Sequence, residues 1–388
     1  MRVAFNAQFL QEPHTGTGRY VYNLLQSLGR VDGVTEYAVL SPRQPKMVPD
    51  TPSSFQWETI PVGQLRRGGD NFEKLAWEQI AFPAAARRLG ASVMHVPHFA
   101  PPRFTRGIPC MVTIHDVINL RLPAYRASPS AQAYNWLVSR AARRADLVLT
   151  VSEHAKADII ELLGIPADRV RVTREAPAPG YRPVHDPARL RAVHERYGLP
   201  GRYVLNVGGL DQRKNVGALI GAFAAVYHQL GELDLKLLIV GEPRLLGTSP
   251  LFPDWRPLAT TFGVASQIIC TPVGEKDLPA LYSGAACFAF TSLYEGFGLT
   301  PLEAMACGAP VVCSDRTSLP EIVGSAGVLV DPDDLDRFGA ALHRVLTHPE
   351  VADDLGRRGL ARARMFTWDE VAVETSRLYA ELAGTLRD

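Results

Sequence analysis

The chain has little with which to staple, anchor or polarise itself. Its five cysteines, Cys110, Cys270, Cys287, Cys307 and Cys313, are odd in number and show no CxxC spacing. A disulfide framework is therefore not expected, and the thiols are read as reduced core residues of a cytoplasmic protein. Long apolar runs are missing too. The most apolar of the long uncharged stretches, Leu278 to Tyr294, has 17 residues and is interrupted by Pro279, Ser283, Gly284, Thr291 and Ser292, so no membrane-spanning helix is expected. The opening MRVAFNAQFLQEP places Asn6, Gln8 and Glu12 where an export signal needs an unbroken apolar region, and export is not expected. Charge of one sign is absent: 41 Lys and Arg stand against 40 Asp and Glu. That balance excludes a nucleic-acid binder relying on a net basic field and points to a small-molecule partner.

What is present is enough apolar material for more than one core. At 388 residues and 46% hydrophobic composition, two domains are the natural reading. Short β-branched runs alternate with helical periodicity: RVAFNA, YAVLS, VMHV, CMVTIHD, LVLTVS and VRVT before residue 175, then YVLNVG, KLLIVG, IIC, CFAFTS, PVVCS and GVLVD. Alternation of this kind predicts two parallel sheets with crossover helices, an α/β class of two Rossmann-like domains facing across a cleft. Between the series, Arg174 to Pro200 carries Pro177, Pro179, Pro183, Pro187 and Pro200, which reads as a connector. The boundaries expected are 1–180 for the first domain, a linker over 181–200, and 201–367 for the second domain.

In open α/β sheets ligands sit at the carboxyl ends of strands, so chemistry should follow strands directly. After YVLNVG come Gly208 and Gly209, then LDQRKN, with Arg213 and Lys214 ahead of a helix that Asn215 is expected to cap. Close backbone approach, free helix amides and two cations suit a diphosphate. The second motif is TSLYEGFGLTPLEAMACGAPVV, in which seven residues separate Glu295 from Glu303. Thr300, Pro301 and Glu303 have the spacing of a capped helix start, and Gly296 and Gly298 leave the amides of Phe297, Gly298 and Leu299 able to face an anion or a sugar hydroxyl. Carboxylates accept from diols while amides bind phosphate oxygens, so this pair of motifs suits a ligand that presents both. A solvated turn for the first motif and a plain capping box for the second are the structural alternatives.

GGLDQRKN, the long LPALYSGAACFAFTSLYEGFGLTPLEAMACGAPVVCSDRTSLPEIVGSAGVLVDP segment, the closing FTWDEVAVETSRLYAEL, the N-terminal GTGRYVYNLLQSL and the IHD at 114–116 together resemble glycosyltransferase family 4, over nearly the whole chain. The resemblance implies a GT-B fold and a retaining hexosyltransferase, in which 1–180, completed by a C-terminal helix over 368–388, is the acceptor-binding domain and 201–367 the donor-binding domain. It implies that Arg213 and Lys214 hold the donor diphosphate, Glu303 the nucleotide ribose, and Glu295 a donor-sugar hydroxyl. His115 would lie beside the donor sugar, and Gly16 and Gly18 would form a loop approaching the phosphates. Many members have Pro after EGFGL, where this chain has Thr300 and then Pro301. A mannosyl donor, GDP-mannose, is favoured, with a UDP-linked glucose or N-acetylglucosamine donor, or a non-catalytic sugar-nucleotide scaffold, as alternatives. A glycan or lipid-linked hydroxyl is the expected acceptor.

No DxD motif stands in the usual place, and DPDD at 331–334 reads as a turn, so no obligatory metal or other cofactor is expected. A phosphorylase of the same fold would need pyridoxal phosphate. The GTGRY loop lacks the third glycine of a dinucleotide fingerprint, having Val21 there, which disfavours a dehydrogenase. His95 and His98 are read as strand-end histidines rather than metal ligands. Arginine runs at 65–69, 85–90 and 139–146 make the first half locally basic, which would suit peripheral contact at an inner membrane face.

Overall fold

The computed structural model describes all residues except 63–68, 127, 200, 232–233 and 385–388. The chain divides into two compact units, one formed by Met1–Glu175 with Thr367–Asp388 and the other by Ala176–Phe366.

The first unit is built on seven parallel strands: β1 (Arg2–Asn6), β2 (Glu36–Ser41), β3 (Phe55–Thr59), β4 (Val93–Val96), β5 (Cys110–Thr113), β6 (Leu147–Thr150) and β7 (Val170–Val172), in the order β3-β2-β1-β4-β5-β6-β7. The central strands are apolar on both faces because helices cover both, leaving Val3, Ala4 and Phe5 fully buried. Strand order reverses between β1 and β4. Only β3 lacks a counterpart among the runs legible in the sequence. It is an edge strand in which only Phe55 of FQWET is buried, so it carries no continuous apolar signal. Three helices of this unit, Gly16–Val31, Pro129–Ala142 and Glu153–Leu163, start at hydroxyl caps, Thr15, Ser128 and Ser152, each accepting from a backbone amide of the first turn.

The second unit has six parallel strands: β8 (Tyr203–Val207), β9 (Lys236–Val240), β10 (Ile268–Thr271), β11 (Cys287–Phe290), β12 (Val311–Ser314) and β13 (Val328–Val330), ordered β10-β9-β8-β11-β12-β13. All six lie in the apolar runs read from the sequence, and here the order reverses between β8 and β11. Phe223, Leu237, Ile239, Ala289, Phe338 and Leu342 centre its core. The expected connector over 181–200 is not one throughout. It carries a helix, Pro187–Arg196, begun by Asp186 accepting from the Ala188 amide and by Pro187 in the first turn, where proline costs no hydrogen bond. That segment belongs to the second unit.

The last helix, Trp368–Gly384, returns to the first unit. It lies along the helix Gly16–Val31 and buries Trp368, Val371, Leu378 and Tyr379. Ser376 donates to Asp32, and Arg30 pairs with Asp369 at 2.5 Å. The Tyr379 hydroxyl meets His95 Nδ1 at 2.6 Å while His95 Nε2 meets Thr113 at 2.8 Å. Burial, with His115 nearby, pushes His95 down to about 3, so this ring is a neutral tie between sheet and helix. Among the described residues no helix is long and apolar enough to cross a membrane.

Replacing Tyr379 by Phe leaves one buried ring nitrogen without its partner and should destabilise the first unit by about 1–3 kcal/mol. Chemical denaturation followed by intrinsic fluorescence measures it. Val373→Ala, on the 56% exposed face of the same helix, should change stability little.

Candidate functional site

The reversal of strand order in the second unit leaves the carboxyl ends of β8 and β11 diverging, and both sequence motifs fall there. β8 runs into Gly208, at φ 150°, and Gly209, at φ 85°. A Cβ on Gly208 would come within 3.1 Å of the Phe290 ring and 3.2 Å of Lys214 Nζ, so the glycine is required by the close approach of that lysine. Asp211 then caps a single turn, Gln212–Lys214, by accepting from the Arg213 amide. Asn215 ends this turn at φ 52° and makes no side-chain cap, so its place before the helix Val216–Leu230 rests on its tolerance of left-handed backbone rather than on an acceptor oxygen.

β11 delivers Thr291, Ser292 and Glu295 to the same place. Thr291 donates to the Lys214 and Asn215 carbonyls, and the Leu293 amide donates to the Arg213 carbonyl at 2.7 Å, which locks the two loops together. Glu295 Oε1 receives three donors: Arg213 Nη1 at 2.8 Å, Lys214 Nζ at 2.6 Å and Ser292 Oγ at 2.6 Å. Burial alone would raise the Glu295 carboxyl, but the charges of Lys214 and Arg213 and the hydrogen bonds hold it at about 2. Burial, with Arg213 alongside, lowers the Lys214 ammonium in spite of Glu295. Two cations thus converge on one carboxylate, and Lys214, 5% exposed, is too desolvated to be a solvated surface charge.

The helix of the second motif runs Leu299–Ala306. Its cap is Gly298, at φ 111°, and not Thr300, because only glycine accepts that backbone and a Cβ would strike Leu319 at 2.9 Å. Thr300 and Pro301 therefore lie inside the first turn, and Glu303 is two residues too deep to close a capping box. Glu303 is 1% exposed and accepts from the Tyr282 hydroxyl at 3.3 Å. The loop before the helix is held by Ser318, which donates to the carbonyls of Glu295 and Phe297. Gly208, Gly209, Arg213, Lys214, Glu295, Gly296, Phe297, Gly298, Leu299 and Glu303 are consequently contributed by two adjoining strand ends of one unit. Ser292, Ser318 and Tyr282 complete their support, and the first of these was visible as the serine three residues before Glu295.

Gly16, Gly18 and His115 belong to the first unit. Gly16 opens the helix Gly16–Val31 and faces open space, whereas Gly18 is buried, and its Cβ would strike the Glu12 carbonyl oxygen at 2.2 Å. Packing on the turn Gln8–Gln11 thus accounts for Gly18 by itself. His115, just beyond β5, meets Glu175 Oε1 with Nδ1 at 2.9 Å and the Pro97 carbonyl with Nε2 at 3.2 Å. Both partners are acceptors, so both ring nitrogens must carry hydrogen. Burial lowers the pKa of His115, but the hydrogen bond and charge of Glu175, the Pro97 carbonyl and Asp116 more than offset this and leave it raised. The Tyr20 ring stands edge-on to the imidazole at 4.6 Å. Glu175, missed because REAPAPG reads as linker, was detectable as an acid at the carboxyl end of VRVT.

Among the described residues no group of three His, Cys, Asp or Glu is gathered in a way that could hold a metal ion. All five cysteines are free, and burial pushes the Cys287 and Cys307 thiols up to about 12, which makes them poor nucleophiles. Of the arginine runs, 65–68 lies outside the described residues. Arg88 pairs with Glu58, Arg87 donates to the Arg106 carbonyl and Arg143 to the Leu163 carbonyl, so part of the expected basic surface is engaged within the chain.

Comparison with known proteins places these features. Residues 201–348 match the family model for glycosyl transferases group 1, and residues 14–174 match that for glycosyltransferase family 4. The O-antigen chain mannosyltransferase B of Escherichia coli is 31% identical over 360 residues, covering 88% of this chain and 89% of the relative. The serotype-specific mannosyltransferase WbdA of Escherichia coli is 31% identical over 238 residues, 60% of this chain but only 28% of that larger protein. Among solved structures, sucrose-phosphate synthase from Thermosynechococcus elongatus superposes with a TM-score of 0.73 at 22% identity, covering 99% of this chain and 100% of the other. Anabaena Alr3699/HepE in complex with UDP-glucose superposes at 0.71 and 17% identity, covering 98% and 100%.

A raised folded-state pKa means that His115 contributes stability fully below its unfolded value of 6.5, and that this contribution is lost as pH rises through the folded value. NMR titration of the ring should give a midpoint above 6.5 in the native protein. In Glu175→Gln burial is left without its main opponent, and the midpoint should fall.

Proposed function

We propose that this chain, which belongs to glycosyltransferase family 4 and is a glycosyltransferase of GT-B fold, is a retaining enzyme that moves mannose from GDP-mannose to a glycan or lipid-linked hydroxyl. The observation that carries the donor half of this reading is the convergence of Arg213 and Lys214 on Glu295 at the strand-order reversal of the second unit. A diphosphate entering there would draw the two cations toward its oxygens, and Glu295 would be released toward a sugar hydroxyl. Glu303, held by Tyr282 behind the first turn of its helix, is assigned the ribose diol. Mannose is favoured over the UDP-linked alternatives by the mannosyltransferase relatives. Alr3699/HepE was solved with UDP-glucose, and this keeps a UDP-sugar donor as the second reading.

In the proposed step the bond between the anomeric carbon and the diphosphate oxygen breaks as the acceptor oxygen bonds to the same face of the sugar. The acceptor's proton passes to the departing phosphate oxygen, so no protein base is required. Arg213, Lys214 and the amides at Gly298 and Leu299 stabilise the charge that develops on the leaving group, in place of a divalent ion. His115 is assigned to the transferred sugar. Its Nε2–H, held at 3.2 Å by the Pro97 carbonyl, would turn to a hydroxyl oxygen of the sugar while Glu175 keeps its hold on Nδ1. Peripheral contact at the inner membrane face rests on exposed Arg140 and Arg144 and on the exposed portions of Arg87, Arg88 and Arg143. Salt-sensitive cosedimentation with phosphatidylglycerol vesicles supports it, and its absence removes it.

A thermal-shift panel in EDTA, with GDP-mannose, UDP-glucose, UDP-N-acetylglucosamine, their diphosphates and NAD, tests the donor site. At about a hundred times its dissociation constant the true donor stabilises by about 2.7 kcal/mol. GDP-mannose is expected to stand out. A response to NAD alone, or to no nucleotide, overturns the assignment. Lys214→Ala should cut turnover about 10²- to 10³-fold, as loss of a charge-stabilising donor does elsewhere. Glu303→Ala should weaken donor binding by about 2 kcal/mol, roughly thirtyfold, with a smaller effect on turnover.

A further inference from the structure

The first unit has its own reversal of strand order, between β1 and β4, and the residues beyond those two strand ends form a cluster that the donor chemistry does not use. Asn6 ends β1 and Gln8 follows it, while His98 lies two residues past β4. Glu78 is brought in by a π-helical turn, Trp77–Ala81, a rare geometry that concentrates at functional sites. Glu78 is fully buried, yet Gln8 Nε2 reaches its Oε1 at 3.2 Å, His98 Nε2 lies at 3.3 Å and the Tyr134 hydroxyl donates to Oε2 at 3.0 Å. Lys74, at 3.9 Å, lies on the exposed side.

Two donors in this cluster have nothing to bond. Asn6 Oδ1 accepts from the Gln8 amide and from Trp77 Nε1, both at 3.1 Å, which fixes Nδ2 on the other side, buried and without a partner. His98 Nε2 faces the Gln8 amide nitrogen at 2.8 Å and so must accept, which puts the hydrogen on Nδ1. That nitrogen is also buried and without a partner. Burial, outweighing the pull of Glu78, lowers the pKa of His98 and keeps the ring neutral. Orphan donors of this kind are costly unless a ligand or water meets them. The half-buried Phe9 ring packs on the His98 ring at 4.9 Å and offers an apolar face alongside.

We infer that the cluster of Asn6, Gln8, Glu78, His98 and Tyr134 is the recognition site for the acceptor, and that what it receives is a neutral, hydroxyl-bearing sugar ring. This rests on the glycosyltransferase reading above. A sugar hydroxyl accepts from Asn6 Nδ2 or His98 Nδ1 and donates to a carboxylate oxygen, a match that neither an apolar group nor a phosphate makes. The buried carboxylate of Glu78 repels a phosphorylated ring. The Pro97 carbonyl that holds His115 directly precedes His98, so the cluster adjoins the residue assigned to the transferred sugar.

The test is saturation-transfer NMR on the full-length protein, with the nucleoside diphosphate that gives the largest thermal shift. The probes are methyl α-mannoside, methyl α-glucoside and methyl N-acetylglucosaminide, set against mannose 6-phosphate and inositol 1-phosphate. The expected result is that at least one neutral glycoside binds the native protein and neither phosphorylated ring does. Glu78→Gln should weaken the glycoside tenfold or more, and the milder Tyr134→Phe several-fold, with nucleotide affinity unchanged in both. Phosphorylated rings binding as well as neutral ones, no neutral glycoside binding, or an unaltered glycoside affinity in both variants overturns the inference. Absence of nucleotide binding in the native protein would instead strike at the donor reading.

Discussion

Parallel strands must be joined by crossovers, and crossovers of one hand cover opposite faces of a sheet when strands are added in opposite directions. At the point where the direction changes, two neighbouring strand ends send their chains apart, and the carboxyl edge between them stays open. Each unit of this protein contains one such point, β1/β4 in the first and β8/β11 in the second. The cluster of Asn6, Gln8, Glu78 and His98 stands at the first, and Arg213, Lys214 and Glu295 stand at the second. The central strands of each sheet are largely apolar and hold two strand ends about one sheet spacing apart.

At β8/β11 that constraint produces an electrostatic device. A carboxylate placed alone at a buried strand end would take up a proton, and a lysine placed alone there would lose one. Together with Arg213 and Ser292 they hold each other charged, so the second unit keeps two cations at a largely buried strand end. The glycines serve the same end: Gly208 makes room for Lys214, and Gly298 turns the chain so that a helix begins directly behind Glu295. At β1/β4 the balance is different. One buried carboxylate has Lys74 on its exposed side and accepts from the neutral Gln8 and Tyr134, while two donors nearby, Asn6 Nδ2 and His98 Nδ1, remain unpaired, and such a site suits hydroxyl groups.

Much of this was legible in the residues. Among the described residues, twelve of the thirteen strands coincide with the apolar, mostly β-branched runs, because a strand covered on both faces must be apolar throughout. β3 escaped because an edge strand needs only one buried face. The helix Pro187–Arg196 was hidden by counting prolines without asking where they stand, since Pro187 sits in the one turn where proline suits a helix. Thr300 looked like a cap because Thr-Pro-x-Glu has that spacing, but the left-handed backbone at Gly298 started the helix earlier. The donor-side residues could be found because they follow strands directly and lie close together in two motifs. Glu78 could not: it is seventy residues from Gln8, in a helix, and nothing local distinguishes it from a surface glutamate.

By itself, then, the sequence determined the α/β class, the two series of strands, the family, and the cluster of glycines, cations and carboxylates after β8 and β11, because each of these is written in local periodicity or in a short motif. Tertiary structure alone decided which charges neutralise which, that His115 is held as a cation by Glu175 sixty residues away, and that Asn6 and His98 are left with donors unpaired. Those outcomes depend on burial and on distances of about 3 Å between residues far apart in the chain, and a linear pattern carries neither.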